Sequence, residues 1–164
     1  MLLGQAISIP FVTRYAKKVS SGMTCFFSGI AMSFIMYMAS YTENFNNFAL
    51  IFGFGNGIVL GIIYILPIGH CYQYFPRKKT AISFVIIAAS GIGTLVFSYL
   101  ATHIINPNNY SLAEAGHYLY YGREIAMKFP DYLRILSGVT LALVSGGGVL
   151  LLQYPSKHEL ALQH

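Results

Sequence analysis

Four long stretches of this chain contain no Asp, Glu, Lys or Arg, and they constrain its fold more than any other feature. These uncharged stretches run over residues 19–42, 44–76, 80–113 and 135–156. A charge near the centre of a bilayer is costly even on lenient scales, and a spanning helix needs roughly 20 apolar residues. The sequence therefore predicts an all-α integral membrane protein with four full transmembrane helices. The predicted spans cover residues 19–41, 46–75, 80–105 and 132–154.

The overall composition excludes a soluble enzyme. Only 9% of the 164 residues are charged and 55% are hydrophobic, whereas a soluble domain averages about 25% charged residues. The same hydrophobicity excludes a disordered chain. Cys25 and Cys71 lie far apart and fit neither a disulfide framework nor a metal-binding pattern. We therefore expect no catalytic residues, no metal site and no cofactor.

Residues 1–13 are also apolar, but they are too few to cross a bilayer. As a helix they reach about 20 Å, whereas the hydrocarbon core is about 30 Å thick. Arg14, Lys17 and Lys18 follow this stretch, whereas a signal peptide carries its positive charge before its apolar part. We interpret 1–13 as a helix stub, the second half of a membrane helix. Residues 1–164 as a whole are expected to form a single transmembrane domain.

The basic residues indicate the orientation of the chain in the membrane. Six of the ten lie in two short loops, 14–18 and 76–79. Two predicted spans separate these loops, so both lie on the same face, as the positive-inside rule requires. The net charge of +5 is thus explained without nucleic acid, which is not an expected partner. We expect Arg77, Lys78 and Lys79 to contact anionic lipid headgroups.

Small residues recur at helical spacing in three of the predicted spans. Such residues let membrane helices approach closely, because these helices associate by packing rather than by hydrophobic exclusion. The methionine-rich first span is instead expected to face lipid or to pack loosely. The predicted helix-packing residues are Gly53, Gly57 and Gly61 in the second span, Ser90, Gly91 and Gly93 in the third, and Gly138, Ala142 and Gly146 in the fourth.

The segment between the third and fourth spans predicts a short helix on the membrane surface. A turn over 106–109 precedes a capping-box pattern from Ser111 to Glu114. Apolar residues then recur at helical spacing, and several tyrosines suit a membrane–water interface. We predict an interfacial amphipathic helix over 111–129, on the face opposite the basic loops.

The stretch from Gly53 to Gly93 resembles the major facilitator superfamily, and within it the oxalate/formate antiporter and monocarboxylate-transporter-like branch. The resemblance is carried by a glycine-rich helix with Tyr64, the run Tyr74-Phe75-Pro76-Arg77-Lys78-Lys79-Thr80-Ala81, and Ser90-Gly91-Ile92-Gly93. It implies a partial half-bundle, from the end of helix two to helix six of a twelve-helix transporter. It also implies that the basic residues holding a carboxylate lie largely in the other helices. The loop over 14–22 departs from the family signature, because it lacks the acidic residue and most of the glycines.

Few polar side chains within the spans are candidates for contact with a substrate. Asn56, His70 and Gln73 are these candidates, and they are weak ones. An interfacial position for His70 and interhelical hydrogen bonds for the two amides are the interpretations that the sequence favours.

Two functions remain open at this point. In the first, which we favour, the chain is a transporter-derived protein that acts as a structural or accessory subunit of a larger membrane complex without transporting. In the second, it is half of a major-facilitator transporter for carboxylates or other organic anions, completed by another chain or copy. Alternating access needs two halves around a midplane site. Expected partners are membrane lipids and other membrane-protein subunits. The sequence does not choose between a mitochondrial inner membrane and a plasma membrane.

Overall fold

A computed structural model describes residues 2–15, 20–108, 113–115, 118–120 and 122–154. The described elements are six α-helices, a π-helix, a 3₁₀ turn and two short strands. The helices are α1 (Leu2–Tyr15), α2 (Ser21–Ala39), α3 (Phe45–Phe48), α4 (Asn56–Tyr74), α5 (Lys79–Ile105) and α6 (Arg123–Leu152). The π-helix Ala49–Gly55 joins α3 to α4, and the 3₁₀ turn Pro76–Lys78 leads into α5. The strands are β1 (Ala113–Ala115) and β2 (Tyr118–Tyr120).

Four helical segments are long and apolar enough to cross a membrane. They are Ser21–Ala39, Phe45–Tyr74, Pro76–Ile105 and Ile125–Leu152. The prediction of an all-α integral membrane fold with four full spans is therefore confirmed. The shorter apolar helix α1 corresponds to the predicted stub over 1–13 and extends to Tyr15.

The segment between α5 and α6 differs from the surface helix predicted over 111–129. β1 pairs with β2 in an antiparallel hairpin that sets Ala113 opposite Tyr120, and α6 begins only at Arg123. The prediction was therefore wrong for residues 113–115 and 118–120. Tyrosine favours strands, and an isolated capping-box pattern is a weak signal beside a tyrosine-rich run. The capping residue Ser111 lies outside the described residues.

The second helix, α2, is the central element of the bundle, and it packs antiparallel to α6. Gly22 lies against Leu152, and a Cβ atom placed on Gly29 would lie 2.9 Å from the Ser145 nitrogen. The expectation that this span faces lipid or packs loosely fits the exposed Met23 and Phe27, but it was wrong for Cys25 and Met36, which are buried. Small side chains on both helices allow the close approach that drives association in a bilayer.

Two polar contacts cross the same interface between α2 and α6. The Ser33 hydroxyl donates to the Ser137 carbonyl oxygen at 2.8 Å. The Thr140 hydroxyl donates to the Met36 sulfur at 3.7 Å. Interhelical hydrogen bonds of this kind contribute about 0.6 kcal/mol on average in membrane proteins, so they fix the register more than they stabilise the pair.

The first helix, α1, packs parallel to α4 through small residues on both helices. A Cβ atom placed on Gly4 would lie 2.7 Å from the Phe54 carbonyl oxygen and 3.2 Å from the Gly57 carbonyl carbon. One turn further along, Gly61 lies directly against the Ser8 hydroxyl. Gly57 and Gly61 are both buried, so these two of the predicted packing residues lie at the contact with α1.

The long helix α5 touches its neighbours only near its two ends. At the basic end, marked by residues 76–79, the Tyr72 and Ser83 hydroxyls are hydrogen-bonded. At the opposite end, Ile105 and Phe129 border an open cavity of about 470 Å³ between α5 and α6. No residue of α5 is buried by the described part of the chain. Most side chains in the middle of this helix are therefore exposed.

Several predicted packing residues make no close helix contact. A Cβ atom placed on Gly91, Gly93, Gly138 or Gly146 would meet nothing within 4 Å. Ser90 and Ala142 are exposed, and Gly53 is half-buried in the π-helix. On α6 the contact with α2 is made instead by Ser137, Thr140, Ser145 and Gly148. A packing role for the uncovered residues stays a prediction.

Two adjacent glycines of α6 provide a matched test of the α2–α6 contact. A Cβ atom on Gly148 would lie 2.6 Å from the Phe26 nitrogen, whereas one on Gly147 would meet nothing within 4 Å. We expect Gly148→Ala to lower the free energy of unfolding by about 1–3 kcal/mol, because the clash is with backbone that cannot rotate away. Gly147→Ala should raise it by up to about 1 kcal/mol through helix propensity. Thermal unfolding of both variants in detergent, followed by size-exclusion chromatography, measures the difference. Equal unfolding temperatures would show that the helices do not cross at Gly148.

Candidate functional site

The most deeply buried polar side chain in the described spans is Asn56. Its exposed fraction is 0%, and neither its amide nitrogen nor its amide oxygen has a hydrogen-bond partner among the described residues. An unsatisfied buried polar group costs about 1–3 kcal/mol, and most such groups in folded proteins are paired. An uncompensated amide within a membrane span therefore calls for a functional explanation.

The local backbone around Asn56 is unusual as well. Asn56 is the first residue of α4 and directly follows the seven-residue π-helix Ala49–Gly55. π-Helices are rare, are mostly single turns, and occur frequently at functional sites. Gly53 and Gly55 lie within this segment and Gly57 directly follows Asn56, so three residues on these turns carry no Cβ atom.

The depth of Asn56 matches that of a transport site. The spanning segment Phe45–Tyr74 has 30 residues, so Asn56 lies about 5 Å from its midpoint at a helical rise of ~1.5 Å per residue. Substrate sites of secondary transporters lie near the bilayer midplane and are typically formed by interrupted helices. Asn56 meets the condition of depth, whereas the helical segment Phe45–Tyr74 continues through it without a break.

His70 is the second buried polar side chain on α4 that lacks a partner. It is 4% exposed, and neither ring nitrogen has a hydrogen-bond partner among the described residues. Its ring lies 5.4 Å from the Tyr74 ring, measured between centroids. His70 lies about 21 Å from Asn56 along the helix, so the two side chains cannot contact one small ligand. The structure thus separates the predicted candidates, and Gln73 is exposed at the basic end.

Few charged side chains lie within the described spans. α2 and the segment Phe45–Tyr74 contain none. Arg134 lies about 7 Å from the midpoint of the span Ile125–Leu152, where it pairs with Asp131 at 2.9 Å. Its guanidinium also lies 4.8 Å from the Tyr41 ring centroid, and the Tyr41 hydroxyl is hydrogen-bonded to Tyr37 at 2.7 Å. Arg134 is therefore already engaged by Asp131 and Tyr41.

The basic loop carries the predicted contacts with lipid headgroups. Arg77, Lys78 and Lys79 are exposed, and the Lys79 ammonium lies 5.9 Å from the centroid of the Tyr72 ring. This cation–π contact holds Lys79 beside the last turns of α4. Contact of the three side chains with anionic lipid stays a prediction.

Sequence reasoning missed three features of this region. No sequence pattern predicted the π-helix, and Gly53, which lies within it, was interpreted as part of a packing ridge with Gly57 and Gly61. The Ser8 contact with Gly61 needed a pairing of two helices that the sequence does not specify. The buried Ser145 hydroxyl has no partner within the described ranges, although it lies beside Gly29 at the α2–α6 contact. Among the described residues, no group of three His, Cys, Asp or Glu side chains could hold a metal ion.

Comparison with known proteins links the chain to transporters. Apicoplast pyruvate carrier 1 of Toxoplasma gondii is 30% identical over 160 residues, which cover 90% of this chain and 29% of that carrier. An uncharacterized MFS-type transporter of Escherichia coli (strain K12), YhjX, is 26% identical over 103 residues, which cover 63% of this chain and 26% of that protein. No family model matches the chain, and no solved structure matches it.

These relatives support a transporter-related integral membrane protein. The chain spans less than a third of the length of either relative. The relatives support kinship with membrane transporters in general and do not single out the oxalate/formate or monocarboxylate-transporter-like branch. They do not fix the membrane in which the chain resides.

The missing partner of Asn56 has a measurable consequence for stability. We expect Asn56→Leu to raise the free energy of unfolding of the chain by about 1–3 kcal/mol, because a buried unpaired amide is replaced by an apolar side chain of similar size. Thermal unfolding in detergent measures the change. Gln73→Leu is the matched control, since it removes an exposed amide from the same helix and should have little effect. A lower unfolding temperature for Asn56→Leu would mean that the amide is paired within the folded chain.

Proposed function

We propose that this chain is the helix bundle of one half of a major-facilitator carrier for small monocarboxylates such as pyruvate. The observation that carries the proposal is the buried, unpartnered Asn56 amide beside the π-helix, at the depth of a transport site. The similarity to a pyruvate carrier over 90% of the chain supports the substrate class. The proposal departs from the accessory role that the sequence alone favours, because the sequence does not reveal the burial of Asn56.

Further transmembrane helices complete this carrier. Alternating access requires two bundles that move about a site between them. α5 has no buried residue within the described part of the chain, so it offers a full-length surface for additional helices. These helices belong either to the same polypeptide or to another one, and the proposal holds in both cases.

A second candidate function is a non-transporting accessory subunit of a larger membrane complex. The observation that favours it is the absence of any charged side chain from α2 and from Phe45–Tyr74, since an organic anion needs compensating positive charge along its path. In this case the uncovered α5 is a contact surface for other subunits. The two candidates differ in whether the bundle supports transport when it is completed.

A chimera tests the carrier proposal. The segment of the Toxoplasma carrier that matches this chain is replaced by the aligned segment of this chain, and the purified chimera is reconstituted in liposomes. We expect saturable uptake of radiolabelled pyruvate by the chimera and none by the chain alone, because the chain alone supplies only one bundle. Liposomes that contain the unmodified carrier are the positive control.

The outcomes separate the two candidate functions. A chimera that is monodisperse and inserted in the membrane, but gives no more uptake than protein-free liposomes, contradicts the carrier proposal and favours the accessory subunit. Saturable uptake by the chain alone contradicts the requirement for further helices.

A further inference from the structure

The basic loop, residues 76–79, is held at the surface of the membrane by the two spans that meet there. The spans Phe45–Tyr74 and Pro76–Ile105 have 30 residues each and are separated by Phe75 alone. At ~1.5 Å per residue each span is about 45 Å long, whereas the hydrocarbon core is about 30 Å thick. The ends of both spans therefore reach into the headgroup layer, and so short a connection cannot carry the loop out of it.

The loop presents positive charge that the described part of the chain does not neutralise. The side chains of Arg77, Lys78 and Lys79 are exposed. The acidic residues of the described ranges follow α2 or α5 and so lie toward the other end of the bundle: Glu43, Glu114, Glu124 and Asp131. The three cations therefore have no carboxylate partner within these ranges, and they are placed to attract an anion from outside the chain.

An aromatic side chain positions Lys79. The Lys79 ammonium lies 5.9 Å from the centroid of the Tyr72 ring, and the Tyr72 hydroxyl is hydrogen-bonded to that of Ser83. The ring is thus held between α4 and α5, and the cation–π contact keeps the ammonium beside it. An ammonium has three N–H donors, so Lys79 retains donors for the oxygens of an anion.

The surroundings of these cations suit a lipid better than a soluble anion. Directly before the loop, Tyr74 is 40% exposed and Phe75 is 57% exposed. Tyrosine is enriched at the boundary between membrane and water, and the two rings add apolar surface beside the three charges. An anionic phospholipid combines a phosphate group with apolar chains, and it is concentrated in the layer in which the loop lies.

We propose that the basic loop binds the headgroup of an anionic phospholipid. Arg77 and Lys78 contact the phosphate group directly, and Lys79 is a third contact, which Tyr72 positions. The bound lipid holds the adjoining ends of α4 and α5 at a fixed depth in the membrane. The inference does not depend on transport, so it applies to both candidate functions.

Lipid titration of the full chain tests the proposal. The chain is purified in detergent, and native mass spectrometry measures the binding of phosphatidylglycerol and of phosphatidylcholine with identical acyl chains. We expect phosphatidylglycerol to bind at least about tenfold more tightly, since each cation near an anionic headgroup contributes about fivefold in affinity. A higher salt concentration should reduce this preference, because exposed charges are screened.

Two lysines provide a matched pair of variants. Lys78→Gln should lower the affinity for phosphatidylglycerol about fivefold and leave that for phosphatidylcholine unchanged. Lys128→Gln removes an exposed lysine of α6 that lies one turn before Asp131, and it should leave both affinities unchanged. Both lysines are exposed, so neither substitution removes a buried contact.

A double-mutant cycle tests the positioning role of Tyr72. Tyr72→Leu should lower the affinity for phosphatidylglycerol about two- to fivefold and have no further effect when Lys79→Gln is already present. Tyr72→Phe keeps the ring and should retain most of the affinity. If Tyr72→Leu fails to give monodisperse protein, the Lys78 and Lys128 variants still decide whether the loop binds the lipid.

Two results would overturn the inference. Equal affinities for the two lipids would show that the loop does not select an anionic headgroup, and would point to a soluble anion or an acidic partner chain as its ligand. Equal effects of Lys78→Gln and Lys128→Gln would show that the lipid does not bind at the loop. Additive effects of Tyr72→Leu and Lys79→Gln would overturn the role of Tyr72 alone.

Discussion

The close crossing of α2 and α6 is the contact on which the rest of the bundle depends. A bilayer supplies no hydrophobic driving force between helices, so van der Waals contact must hold them together. Backbone approaches backbone at Gly22, Gly29 and Gly148, where any side chain would separate the helices. α2 also contacts α4, against which α1 packs. Loss of the α2–α6 contact would therefore leave α6 with its small contact to α5 and the ring contact between Phe129 and Phe48.

The sequence predicted the existence and the approximate bounds of the spanning helices, because the exclusion of charge from a bilayer acts on every residue of a stretch. It did not predict which face of each helix packs. Glycines at 138 and 146 and those at 22 and 29 look equivalent as a pattern, yet only the second pair lies against a neighbouring helix. Which helix faces pack together depends on the surfaces of both helices. The pattern of one helix does not show which surface of another helix it meets. The paired strands β1 and β2 were missed for a related reason, since each strand is stabilised by its pairing with the other.

The candidate site was predicted in part. The type and position of Asn56 predicted it as a weak candidate for substrate contact. The structure adds that its side chain is buried and has no hydrogen-bond partner among the described residues. Local pattern also gave no reason to separate Asn56 from Gln73, which carries the same functional group on the same helix. Their difference comes from tertiary structure, because the packing of α4 buries Asn56 and leaves Gln73 exposed. The π-helix depends on the same packing, since a helix register is set by what the flanking turns contact.

Hydroxyl groups and amide groups in these spans behave differently, and the difference shows where the bundle needs a partner. In α5 the Ser90 hydroxyl donates to the Ile87 carbonyl oxygen at 2.7 Å, and the Thr94 hydroxyl donates to that of Ser90 at 2.9 Å. Short hydroxyl side chains reach the preceding turn in this way, so α5 can face lipid or an apolar helix without an unsatisfied group. Asn56 and His70 have no such bond in the structure. A neighbour of the exposed face of α5 therefore needs only a complementary apolar surface. A partner of Asn56 and His70 must instead supply hydrogen-bonding groups.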